Sequence, residues 1–453
     1  VLAVLLLILL AFGLVDVRKR ARVDPSNPLS HRSDVTVYTG AGAAFFEEGT
    51  DPYLVTNPRG WHYLYPPLFA LALAPLAKLP GSEQGFVFYL MSLLLVYGSV
   101  VETSRILSTV LPGTPGRQLA LLELPRWIVW SALVAVAFPL LNCLQRGQVA
   151  PFTLYPLLLG TRLLIERRTW MGLLSGGVVL ALPVAIKLTP ALPVALIGWV
   201  FWLRVVRGAG TPDLGNRLRD AAGLSAGVAA GLVIWILLLP AIFVGWSANL
   251  GHLSTWVDRV VANRSVDDEN DFFGASRRNQ SFQNGARLLI GTFRDEPGMD
   301  SVAGYPGRRY RSELNASIPN PGLDRALFAV RVAMIVLLLW GGVRLARSGA
   351  PLDTATALGL GAIGSVAFSP LSWGHHYGII WPAVVFVPLL YERAGKTKWS
   401  RGLSLSAAVL VASHYLFTGP LGSIGMLGLG TGAWLVVATL GLPGGRPGQP
   451  TAA

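Results

Sequence analysis

Apolar residues fill this chain in long blocks broken by short polar stretches, without the strict alternation of half-buried strands. Thirteen such blocks stand out, at about 1–15, 66–79, 86–104, 126–141, 149–165, 170–187, 188–204, 221–244, 326–345, 354–370, 376–391, 404–417 and 424–441. A helix needs about 20 apolar residues to cross a hydrocarbon core, and tilt or interfacial residues extend the shorter blocks. The pattern predicts an all-α polytopic membrane protein whose two long polar stretches, 16–65 and 245–325, lie outside the bilayer and carry short helices. One domain is expected over 1–443, followed by a disordered Gly/Pro-rich tail at 444–453. The chain opens inside an apolar run without an initiator Met. "DVRKRAR" follows that run where a signal peptide would place a small-residue cleavage site, so it reads as a truncated first membrane helix.

Short basic loops set the orientation. Those at 166–170, 204–220, 343–349 and 391–402 are expected on the cytoplasmic side, with mutually consistent parity. "LQRGQ" (144–148), the Lys187 turn, loop 245–325 and "SWGHH" (372–376) then fall on the opposite side. With loop 16–65 on that side too, parity allows about twelve crossings and not thirteen. The block expected to fail is 66–79, short and interrupted by Pro75. The cluster Arg18, Lys19, Arg20 and Arg22 pulls the other way, toward a cytoplasmic first loop.

Composition agrees with the pattern. Of 453 residues, 52% are hydrophobic and 13% charged, where a soluble domain carries roughly 25% charged; the mean hydropathy is +0.52. The net charge of +13 sits mostly beside apolar runs, where Lys and Arg set topology and meet anionic lipid, so nucleic acid is not an expected partner. The single cysteine, Cys143, excludes an internal disulfide and a multi-cysteine metal site.

Several polar residues fit neither a lipid-facing nor a packing role without further argument. Asp34 precedes an expected amphipathic helix over 35–46, where Ser33 or Asp34 reads as an N-cap or Asp34 as a general base beside the membrane. Asp51 before Pro52 reads as a turn former. Tyr63 and Tyr65 in "YLYPPLF" form either an interfacial aromatic belt or a sugar-binding wall. Arg146 and Gln148 in "LQRGQ", and Lys187 in "AIKLTPAL", sit between apolar helices. A cation there either snorkels to headgroups or binds a phosphate, and intramembrane ionisable residues favour function. Asn279 and Gln280, with Arg277 and Arg278, lie in "RRNQSFQNG", which reads as a polar loop, a site residue cluster or a glycosylation sequon, as do Asn263 and Asn315. His375 and His376 follow Trp373. Adjacent histidines diverge on a helix and no carboxylate or cysteine stands near in sequence, so hydrogen bonding to phosphate or sugar outweighs metal binding.

In order along the chain, Asp34, "YLYPPLF", "RGQ", "AIKLTPAL", "NQS" and "SPLSWGHH" resemble the pattern of glycosyltransferase family 87, over about residues 33–391. "YPPLF", "IKLTP" and "SPLSWGHH" are the specific parts. Position 146 departs from the family, which commonly carries Asn there. The resemblance implies a GT-C helical bundle in a bacterial plasma membrane, with its active site on the extracytoplasmic face. It implies transfer of a hexose, mannose by the family, from a polyprenyl-phosphate donor to a lipid or glycan acceptor, with inversion. Asp34 would be the base. Lys187, Arg146, His375 and His376 would meet the donor phosphate, and Tyr65, Gln148, Asn279 and Gln280 would orient sugar or acceptor. No metal and no cofactor beyond the lipid-linked donor are implied, in keeping with the lack of a "DxD" pair. A lipid-linked sugar flippase and an O-antigen ligase or polymerase are the rivals. The first would show symmetry between halves, and the second has a different motif order.

Overall fold

A computed structural model of the chain describes residues 2–111, 120–262, 279–293, 320–369 and 372–443. Arg277, Arg278, Asn263, Asn315 and the tail 444–453 lie outside the described residues. Those described are helical, apart from loops and two isolated β-bridges, Thr56 with His62 and Asn279 with Trp373.

Among the described residues, five helices are long and apolar enough to cross a membrane: Gly81–Val110, Arg126–Arg146, Leu214–Val244, Pro321–Leu345 and Pro351–Phe368. The shorter apolar helices are Pro67–Lys78, Trp170–Ile186 and Met426–Leu440. Two ends differ from the sequence expectation for a physical reason. The helix expected over 86–104 runs from Gly81 to Val110, because Ser82, Glu83 and Gln84 fill its first turn and Glu102 and Arg105 its last turns. Hydropathy marks only the apolar middle of such a helix. Block 66–79 becomes a short α-helix, Pro67–Leu73, tightened to a 3-10 turn over Ala74–Lys78 that contains Pro75.

The chain divides into two compact units. The first holds residues 1–105, 140–191 and 222–268; the second holds 106–139, 192–221 and 269–453. Small residues bring helices together in both, as expected where lipid offers no hydrophobic drive between helices. In the first unit Gly160 of Ala150–Glu166 meets Gly176 of Trp170–Ile186, and Gly177 lies against the Gly227 backbone. Glu102 accepts from Arg162 across two of these helices, and Arg162 also reaches Glu166 at 2.6 Å. In the second unit Gly361 lies against Pro193 and Gly359 against Pro382 and Ala383. There Arg204 faces Asp353 at 3.9 Å.

One end of the first unit gathers its loops over an aromatic core. Tyr38, Phe45, Tyr53, Tyr63, Phe69, Phe88 and Trp256 pack with Val35, Val149 and Ile186. Tyr63 is fully buried. Its hydroxyl donates to the Pro66 carbonyl at 2.6 Å and accepts from the Ala70 amide at 3.1 Å. This is a packing and hydrogen-bonding role, and the interfacial-belt reading of Tyr63 fails on its burial.

Candidate functional site

The loop-rich end of the first unit is built around Asp34. Residues 33 and 34 lead into helix Val35–Ala44, and Asp34 occupies the N-cap position without a capping bond from its side chain. Ser33 Oγ instead accepts from the Val35 amide at 3.3 Å. The capping reading of Asp34 therefore fails, and its carboxylate is left for other work.

Backbone bonds tie this segment to "RGQ". The Asp34 amide donates to the Arg146 carbonyl at 2.8 Å, and Ser33 Oγ donates to the same oxygen at 3.4 Å. Arg146 ends helix Arg126–Arg146, and Gly147 then takes φ +73°, a left-handed turn that glycine adopts without strain. A Cβ there would overlap the Val35 side chain. Gln148 follows, buried, with its amide donating to the Cys143 carbonyl at 2.9 Å. The sharp reversal thus sets the Arg146 side chain beside the start of helix Val35–Ala44.

The resulting geometry is electrostatic. Asp34 is 8% exposed, and its Oδ1 accepts no hydrogen bond among the described residues. Arg146 Nη2 stands 3.7 Å away, beyond hydrogen-bonding reach but close enough for strong attraction. Burial raises the Asp34 carboxyl above the ordinary carboxylate range; Arg146 pulls hardest against that rise, followed by Arg59 and Lys187. Lys187 caps the end of helix Trp170–Ile186, and its Nζ lies 5.2 Å from the Tyr65 ring centre. Tyr38, one turn beyond Asp34, packs at 5.8 Å from Tyr65. Burial pushes both phenols up, so they stay neutral.

Two contributors escaped sequence reasoning. Asn57 Oδ1 accepts from the Arg59 and Trp61 amides at 3.0 and 3.1 Å, closing a turn whose Gly60 has φ +75°. That turn carries Trp61 to a position with the Arg59 guanidinium 4.8 Å and the Arg146 guanidinium 5.2 Å from its ring centre. The signal was the "NPRGW" turn beside an aromatic residue. Asp51, by contrast, does close its turn, accepting from the Tyr53 amide at 2.9 Å, and it also pairs with Arg259 at 3.0 Å.

The remaining candidates meet in the second unit. Asn279 Oδ1 accepts from the Ser372 amide at 3.0 Å and from the Ser281 amide at 3.1 Å. Gln280 donates from its amide to the Ser372 carbonyl at 2.5 Å and from Nε2 to the Gly422 carbonyl at 3.1 Å. Its own carbonyl accepts from Tyr377 at 2.9 Å. "NQS" and "SWGHH" are thus stitched into one buried strip. Burial of Asn279 leaves no room for the glycan that its sequon reading required. His376 Nδ1 accepts from the Trp373 amide at 3.3 Å, which leaves Nε2 as the protonated nitrogen of the neutral ring. His375 is buried and perpendicular to His376, with ring centres 4.6 Å apart.

The structure therefore groups Asp34, Tyr65, Arg146, Gln148 and Lys187 in one unit and Asn279, Gln280, His375 and His376 in the other. Among the described residues, no group of three or more His, Cys, Asp or Glu side chains could hold a metal ion. No curated protein and no solved structure matches the chain. The model of glycosyltransferase family 87 matches residues 63–370, a span that includes Tyr65, Arg146, Gln148, Lys187, Asn279 and Gln280 and excludes Asp34, His375 and His376. That match covers more than half of the 453 residues, and this membrane protein, helical over its described residues, belongs to glycosyltransferase family 87.

Proposed function

We propose that this glycosyltransferase moves a hexose, mannose by the family resemblance, from a polyprenyl-phosphate donor to a lipid or glycan acceptor at the extracytoplasmic face, with inversion and with Asp34 as base. The single observation that supports this reading most is the buried Asp34 carboxylate facing Arg146 at 3.7 Å, within the fields of Arg59 and Lys187.

The chemistry uses this chain's own groups. Asp34 takes the proton of the acceptor hydroxyl as its oxygen bonds to the anomeric carbon. The bond from that carbon to the phosphate oxygen breaks, and its electron pair stays on the phosphate. A phosphodiester donor carries one negative charge, and the phosphate monoester that leaves gains a second. Protonation of Asp34 makes the pocket one unit more positive as the phosphate becomes one unit more negative, so the total charge of pocket and phosphate does not change. Arg146, Lys187 and Arg59 are the cations for the growing phosphate charge. Tyr65 and Trp61 offer aromatic faces for sugar or lipid. No metal is needed for a leaving group that is already stable as a phosphate.

The test is transfer from labelled polyprenyl-phosphate-mannose to candidate lipid acceptors by the purified protein. Asp34→Asn is expected to lower the rate about 10²- to 10⁴-fold at normal expression. Undiminished transfer by that variant removes Asp34 as the base, and transfer from a nucleotide sugar instead removes the lipid donor.

A further inference from the structure

The foot of the first helix gathers cations that the proposed transfer reaction does not use. Helix Leu2–Phe12 passes through a wide turn, Gly13–Val17, into Arg18–Ala21. Its outward face is apolar: Leu7, Ile8, Leu14 and Val15 are all exposed. Helical spacing carries Leu7 and Leu14 up to Arg18, where the character of the surface changes. A cleft of about 630 Å³ opens there, lined by Leu14, Arg18, Lys19, Arg22, Val23, Pro80, Gly81 and Ser82.

Charge in this cleft is one-sided. Arg18 pairs with Glu83 of helix Gly81–Val110. Arg20 is turned to Asp16, 2.8 Å away. Lys19 and Arg22 are exposed, and Asp24 acts on Arg22 from nearby. With Arg18 offset by Glu83 and Arg22 partly offset by Asp24, Lys19 and Arg22 still leave the rim net positive, since the cleft lining holds no carboxylate. The first turn of helix Gly81–Val110 adds its positive dipole end to the same wall. The cleft thus joins a cationic mouth to an apolar, outward-facing helix surface, the two halves of an amphiphile's imprint. A small soluble anion would use only the first half.

We propose that the cleft binds the headgroup of an anionic phospholipid, its phosphate between Lys19 and Arg22 and its acyl chains along Leu14, Leu7 and Ile8. Such a lipid would tie the end of the first helix to the start of Gly81–Val110 and so hold the entry to loop 16–65, which carries Asp34.

The experiment uses the full chain purified in detergent, with its unfolding midpoint followed during titration with short-chain phosphatidylglycerol, phosphatidylcholine or inorganic phosphate. Phosphatidylglycerol is expected to raise the midpoint saturably, and the other two are not. A surface cation contributes about fivefold to binding of an anionic lipid, so Lys19→Gln and Arg22→Gln together should raise the half-saturating concentration about 25-fold. Both side chains are exposed, so the unliganded midpoint should not move; if it does, Lys19→Gln alone, at about fivefold, carries the test. An unchanged half-saturation in the variants overturns the site. An equal response to phosphatidylcholine overturns the role of charge, and an equal response to inorganic phosphate reduces the site to a bare anion cleft and overturns the lipid.

Discussion

Asp34 and Arg146 meet twice: the Asp34 amide donates to the Arg146 carbonyl at 2.8 Å, while the two side chains face each other at 3.7 Å. The backbone bond holds the two segments together, which brings the guanidinium within the reach of the carboxylate. Arg146→Met removes the largest influence holding the Asp34 carboxyl down against burial. A base works ionised, so activity is lost as pH falls through its pKa. The acid limb of the pH profile should therefore move to higher pH in this variant, as read from kcat/KM against pH. A limb that stays in place would separate Asp34 from the observed ionisation.

Lys187 lies over the Tyr65 ring and acts on the same carboxylate. Lys187→Met should weaken donor binding on the order of 10- to 100-fold, the scale of a lost charge-assisted hydrogen bond. The checking measurement is KM for the lipid donor, with KM for the acceptor unchanged.

Gly147 has φ +73° and lies against Val35. Gly147→Ala combines backbone strain with a steric overlap, and it should cost about 1–3 kcal/mol of stability. Because the overlap pushes on the first residue after Asp34, kcat should fall while binding of the donor survives. Unfolding in detergent and a kcat-against-KM comparison read the two effects separately.

The Tyr63 hydroxyl joins the Pro66 carbonyl to the Ala70 amide beneath the site. Tyr63→Phe leaves both buried groups without that partner and should cost about 1–3 kcal/mol. Its folded fraction should transfer sugar at the wild-type rate, since the hydroxyl faces the core. A lower unfolding midpoint with unaltered specific activity is the expected result.

Much of the first-unit site was legible because burying charge is costly. A lone Lys187 or Arg146 between apolar runs has few structural uses, and an Asp at a helix start invites a question that the missing cap bond answered. Arg59 and Trp61 were missed because "NPRGW" signals only a turn, and where that turn, closed by Asn57, carries them leaves no mark in hydropathy. Asn279 and Gln280 stood out as polar residues in a loop. Their bonds to Ser372 and Gly422 could not be seen from spacing, since the partners come from far along the chain. Helix ends were poorly legible for the same reason as at Gly81, where polar first turns are as helical as the apolar middle.

The bond between Ser33 and Arg146 spans 113 residues, and that distance is also a delay. At ordinary rates of synthesis the carboxylate of Asp34 leaves the ribosome on the order of ten seconds before Arg146, the cation that acts on it most strongly. Lys187 follows later still. During that interval the acid must stay hydrated or protonated, so the pocket comes into being only when the later helices arrive. Assembly of this candidate site is therefore a late event in the biogenesis of the protein, and a chain stopped before Lys187 would carry Asp34 without the full set of cations around it.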